Sequence, residues 1–378
     1  MFINFWYAAE ESANVTDKLM RVTMLGQDFV LFRDSAGQAH CLSDVCSHRG
    51  GSLGLGKLKG DCVECPYHGW QFNGEGVCTK IPSMETDAKI PSRAKVDSYP
   101  IIEKYGLIFS FLGDLPEDER PPIMEIPEYD QEGWRRTFLC PEFDFEYKRS
   151  IENGIDLAHN EFTHTTHVFT QGDDNFELHD LKMVETDWGT GIWQQMPGPA
   201  LTDEKMRKAS GRDVPGTVEI GTGHHGCASL WTYVHPSPKF SFHQYFFETP
   251  INEQRVRIFF INMRNAMLEP ENDKIMAERN MFVVNQDRDV LQELRPVLTP
   301  RTNNKEVFVP ADMAIARYRE RIKEWQAKGW RIDLDEVKRN EGQVAYAIPS
   351  PARRASKGWA LDSIPLLPGK SELSRAAE

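Results

Sequence analysis

The stretch CSHRGGSLGLGKLKGDCVECPYHGW, residues 46 to 70, presents two short ligand pairs, Cys46-x-His48 and Cys65-x-x-His68, joined by a glycine-rich run. Thiolates bind zinc or iron and imidazoles bind either, but a structural zinc site pairs cysteine with cysteine and histidine with histidine. Here each loop brings one of each. That division suits a [2Fe–2S] cluster in which two cysteines hold one iron and two histidines the other, which raises the reduction potential above that of an all-cysteine cluster. The intervening glycines allow tight turns whose N–H groups can face the sulfurs. A structural zinc module is the competing reading.

CSHRG and CPYHGW, their spacing, and the early FWYAAE together resemble the oxygenase (alpha) subunits of the Rieske non-haem iron oxygenases, the aromatic-ring-hydroxylating and demethylating family. The resemblance implies that Cys46, His48, Cys65 and His68 hold a Rieske [2Fe–2S] cluster. It also implies a mononuclear Fe(II) in a C-terminal domain. In SIENGIDLAHNEFTHTTH, residues 150–167, Asp156, His159 and His164 match the family's D-x2-H-x4-H pattern, and Asn153 falls where the family often has an asparagine beside the iron. Two imidazoles and a carboxylate make the facial triad that binds non-haem Fe(II). On a regular helix residues 159 and 164 point about 140° apart, so the helix must end, overwind or bulge between them. His167 is the competing ligand.

The third ligand is expected from MFVVNQDRDVLQELRP. Asp287 sits at helical spacing amid Val283, Val284, Val290, Leu291 and Leu294, and a carboxylate on an apolar stripe needs a cation. Asp289 is the alternative. The family's motif fits only loosely, since its glutamate position holds Gln292. The resemblance gives Asp156 a bridging role, linking a cluster histidine of one subunit to an iron histidine of the next, and hence implies a homotrimer.

These ligands must be positioned by a chain of 378 residues, longer than the ~250–300 at which one core stops growing. The expected class is α+β in two domains. An all-β Rieske domain occupies 1–118, where short strand-like runs such as FVLFRD and GLIFSFLG alternate with turn residues. An acidic, proline-rich crossover follows. Residues 119–378 then mix helical patterns with runs such as SLWTYVH and RVRIFFINM, an antiparallel sheet flanked by helices. The segment 196–223 reads as a polar lid loop, the charge runs 144–149 and 315–328 as solvated helix faces, and the last ~25 residues as an exposed arm. His224, His225, His235 and His243 read as satisfied or solvated, and Trp193, Trp231, Phe246 and Phe247 as core aromatics.

A net charge of −13 argues against nucleic-acid binding. The absence of a leader pattern and of an apolar run near 18–20 residues points to a cytoplasmic protein away from membranes, and seven scattered cysteines give no disulfide framework. The one G-x-G-x-x-G match, GTGHHG at 221–226, runs into the strand-like SLWTYVH instead of opening a helix, and no four-cysteine cluster motif occurs, so electrons from NAD(P)H are expected through a separate ferredoxin or flavin reductase. With O2 they would hydroxylate or demethylate an apolar, aromatic substrate. The alternatives are a cis-dihydroxylating or angular dioxygenase of the carbazole type and, in another class, a Rieske electron carrier.

Overall fold

In the computed structural model, residues 1–164, 176–178, 180–198, 204–211 and 214–370 are described. The chain divides into two compact units, Met1–Ile123 with Glu324–Glu378, and Met124–Lys323. The division thus differs from a single cut at 118, because the C-terminal stretch rejoins the first unit. Asp97, fully buried, is the reason. It accepts from the Ser350 hydroxyl at 2.7 Å and from both Nε and Nη2 of Arg353 at 2.8 and 2.7 Å, and a buried carboxylate without such partners is costly. The expected exposed arm is therefore, up to residue 370, an integral part of this unit.

The first unit is built of small sheets, all antiparallel among the described residues except the pair Tyr346–Ala347 and Asp362–Ser363. Phe5–Glu11 pairs with Leu107–Leu112, which also pairs with Ile101–Lys104. A four-stranded sheet carries Ala39–Ser43, after which the first ligand loop begins; a second carries Cys62–Glu64 and Gln71–Phe72, which flank the other. Val30, Phe32, Leu42, Leu53, Val63, Phe72 and Val96 form the core under both loops, with Cys46 and Cys65 packed among them.

The second unit holds an antiparallel meander, Lys182–Glu185, Gly189–Gly198, Gly216–His225, Ser229–Ser237, Phe240–Asn252 and Arg255–Arg264, with Arg135–Leu139 and Glu142–Phe143 pairing against the last strand. The lid expected over 196–223 is replaced at both ends by paired strands, Met196 facing Val218 and Gly198 facing Gly216. The glycines that read as loop are clearance for indoles: a Cβ at Gly221 would lie 2.6 Å from Trp193, and one at Gly223 2.5 Å from Trp231. Helices Tyr147–Gly154, His159–Thr163 and Asn272–Leu291 complete this side of the unit.

The charge runs are solvated only in part: Asp144, Glu320, Lys323, Glu324 and Lys328 are exposed, but other members turn inward. Glu146, Lys148, Arg149 and Arg319 are all buried, and they form a network: Lys148 to Glu146 at 2.8 Å, Arg149 to Glu306 at 2.8 Å, and Arg319 to Glu152 and Glu306 at 2.7 and 2.6 Å. Pairing is what makes their burial tolerable. Among the described residues no helix is long and apolar enough to cross a membrane.

Candidate functional site

The two loops of the first unit are the same turn made twice. Cys46 donates its N–H to the Gly51 carbonyl and accepts from Gly50, both at 2.9 Å; Cys65 donates to the Trp70 carbonyl at 2.8 Å and accepts from Gly69 at 2.9 Å. Each turn closes on a glycine in the left-handed region, Gly50 at φ 72° and Gly69 at φ 71°, where a side chain would be strained. Both cysteines are buried, at 1% and 2% exposure, whereas His48 is exposed and His68 half-buried. The two imidazoles lie with ring centroids 4.4 Å apart, and Trp70 stacks on His48 at 4.4 Å with planes 4° apart.

The donor set fits a cluster with sulfur inside and nitrogen outside. Burial pushes the Cys46 thiol up to about 12, and the neighbouring Cys65 adds to the effect, so thiolates here need a metal's positive charge. A Cβ at Gly51 would sit 3.1 Å from the Cys65 sulfur, so the backbone itself walls the sulfur side.

In the second unit, one ligand atom each from His159, His164 and Asp287 lies within 4.8 Å of the others. Asp287 Oδ1 stands 3.4 Å from Nε2 of both histidines, longer than a good hydrogen bond and close to the ~3.0–3.4 Å that separates ligands bound at ~2.1 Å to one metal. Local structure explains how both imidazoles converge. The helix ends at Thr163, and His164 has left it with φ −99° and ψ 101°, which resolves the angular conflict between positions 159 and 164. His167 lies outside the described residues.

Neighbouring groups orient each of the three side chains. The Nδ1 of His159 donates to the Asp156 backbone carbonyl at 2.6 Å; since a carbonyl only accepts, the lone pair is left on Nε2, facing the gap. His164 Nδ1 meets Gln286 Oε1 at 3.2 Å, and Asn153 donates to Asp287 Oδ1 at 3.0 Å. At His164 burial wins and lowers the pKa. At His159 burial acts in the same direction but is overcome by the negative charge of the facing Asp287 carboxylate and of Asp156, and the pKa rises. Burial likewise raises Asp156, whose Oδ1 accepts from the Ala158 N–H at 2.7 Å. Asp289 is exposed and bonds Arg288 instead.

A cavity of about 220 Å³ adjoins this trio. Its walls come from alternate residues of adjacent strands, Val218 and Ile220, Leu230 and Val234, Phe242 and Phe246, Ile258 and Phe260, closed by Val283 and Val284 of the long helix. Such alternation is the period of a strand with one face inward. Of the four aromatics read as core, Phe246 is a cavity wall. Val290, expected on the ligand stripe, is 44% exposed. Gln286, Ser150 and Glu248 had no sequence signal, since each acts through a partner distant in the chain.

Residues 5–100 match the family Rieske [2Fe-2S] domain, and residues 143–328 match the vanillate O-demethylase oxygenase C-terminal domain. The chain belongs to the Rieske non-haem iron oxygenases. As a Rieske oxygenase it takes a [2Fe–2S] cluster and a mononuclear iron. It is 38% identical over 200 residues to chlorophyllide a oxygenase of Chlamydomonas reinhardtii, covering 51% of this chain and 29% of that protein. It is 33% identical over 172 residues to the iron-sulfur subunit of the toluene-4-sulfonate monooxygenase system of Comamonas testosteroni, covering 45% and 49%. The matches thus span less than half the length of these relatives. A dicamba monooxygenase bound to 3,6-dichlorosalicylic acid superimposes with a TM-score of 0.72 at 22% identity, covering 85% of this chain and 96% of that one; at that identity the likeness establishes the fold.

Proposed function

We propose that this Rieske oxygenase is the terminal component of a multicomponent system, receiving electrons from NAD(P)H through a ferredoxin or flavin reductase and hydroxylating or demethylating an apolar, aromatic substrate with O2. The observation that carries the reading is the convergence of His159, His164 and Asp287 at an apolar cavity. When bound, the cluster supplies single electrons and the ferrous ion supplies O2 activation.

The chain's own residues do the rest. Cys46, His48, Cys65 and His68 are the cluster ligands in this reading, and the exposed His48 edge is where an electron donor docks. His159, His164 and Asp287 hold the iron, with Asn153 and the Asp156 carbonyl keeping two of them oriented. The aliphatic and aromatic walls keep water from the reacting face of the substrate. Asp156 is the bridge between neighbouring subunits of a homotrimer, its carboxyl turned by burial toward the protonated form that a facing imidazole would reverse.

A Rieske electron carrier would have no use for the second trio. Purified protein should be red-brown, bleach with dithionite and hold ~3 iron per chain, and with a reductase and ferredoxin it should show NADH and O2 uptake that depends on one member of an aromatic panel. Two iron per chain without such uptake supports the carrier instead.

A further inference from the structure

Among the described residues, two buried polar atoms of the cavity are left without a hydrogen-bond partner. Glu248, 2% exposed, receives the Ser150 hydroxyl on Oε1 at 2.8 Å, while its Oε2 has none. Asn280, 9% exposed, likewise has an unpartnered Nδ2. Both line the cavity that contains His159, His164 and Asp287. An orphaned buried polar group is rarely tolerated unless a ligand satisfies it.

Their places on the elements set them at two distances from the metal trio. Ser150, which holds Glu248, stands one helical turn from Asn153, which holds Asp287. Asn280 lies two turns before Asp287 on the long helix, about 10 Å along its axis. Resting on the reading of this cavity as an oxygenase's substrate chamber, we propose that Glu248 and Asn280 are positioning residues that recognise an acceptor oxygen, a ring carbonyl or its equivalent, on an otherwise apolar, uncharged substrate.

The sign of the recognition follows from the donors. Burial pushes the Glu248 carboxyl up to about 8, with Ser150 pulling the other way, so near neutrality it is an acid. Ser150 donates to Oε1, which leaves the proton on Oε2 as a donor. Asn280 offers a second N–H. Two donors in an apolar chamber select an acceptor; a substrate ammonium would leave the Asn280 N–H unpaired.

The test uses the full, metal-loaded protein and three probes of one skeleton: tetralin, 1-tetralone and 1-aminotetralin, measured by titration calorimetry. Wild type should bind the ketone at least tenfold more tightly than the hydrocarbon, with the amine weakest. Glu248→Leu and Asn280→Leu should each cut the ketone's advantage at least fivefold. Glu248→Gln, which retains a donor and accepts from Ser150, should keep it within threefold and serves if the leucine variant does not fold. The proposal is overturned if tetralin binds as tightly as the ketone, if the amine binds best, if both leucine variants keep the preference, or if no probe binds. Ferrous–nitrosyl EPR of the same samples separates the two readings: absence of the signal in wild type defeats the oxygenase assignment whatever the probes do, while a normal signal with a lost preference defeats only the recognition pair.

Discussion

Asn153 and Asp287, 134 residues apart in the chain, meet through one hydrogen bond of 3.0 Å, made to the same carboxylate oxygen that faces both His159 and His164. The amide therefore sets the direction of the carboxylate. Asn153→Leu should weaken ferrous iron binding ten- to hundredfold, the usual effect of losing a group that orients a ligand. Titration with Fe(II) under anaerobic conditions measures it, and unchanged affinity would mean the contact is idle.

Asp287→Ala and His159→Ala should each lose the mononuclear iron and keep the visible spectrum of the cluster, because the two ligand sets lie in separate compact units. Iron analysis beside the absorption spectrum reads both at once. Bleaching of the cluster with the second iron retained would reverse the assignment.

Glu248 gives a dependence of stability on pH. Its folded pKa, about 8, lies above the ~4.3 of an unfolded glutamate, so the folded chain binds more protons between these values. Stability is then full below ~4.3 and falls as pH rises through about 8, by an amount on the order of a few kcal/mol. Glu248→Gln should remove that slope, making the variant more stable than wild type at pH 9 and not at pH 4. Urea unfolding at the two pH values decides; parallel profiles would count against a buried acid.

Asp156→Asn keeps the shape and the backbone carbonyl that holds His159, so both metal sites should remain loaded. What should fall, at least a hundredfold, is the rate at which a chemically reduced cluster reoxidises once O2 and a turnover-supporting substrate are added. Sedimentation gives the oligomer in the same experiment. Wild-type reoxidation in the variant would remove the bridging role and the argument for a trimer.

The candidate ligands could be picked out in the sequence because metal chemistry restricts both residue and spacing; in the fold Cys46, His48, Cys65 and His68 fall on two matching turns, and His159, His164 and Asp287 come together in space. What could not be read depends on the third dimension. Ser150 and Glu248 are 98 residues apart, and His164 and Gln286 are 122 apart; neither pair leaves a local pattern. Polarity also misled. Arg149, Arg319 and Lys148 read as solvent-facing by type, yet their carboxylate partners carry them inside. Glycines 221 and 223 read as loop because their purpose, room for Trp193 and Trp231, belongs to other strands.

The return of the chain from Glu324 into the first unit makes the architecture nested, with Met124–Lys323 inserted between two parts of its host. A host made of two segments holds its insert at both ends, and its own folding waits on the segment that begins at Glu324. Cutting the chain after residue 123 would not liberate a self-sufficient electron-transfer module: it would strand Asp97, fully buried, without Ser350 and Arg353. The half that matches the Rieske domain is thus a split domain, whose completion is delayed until translation has passed the insert.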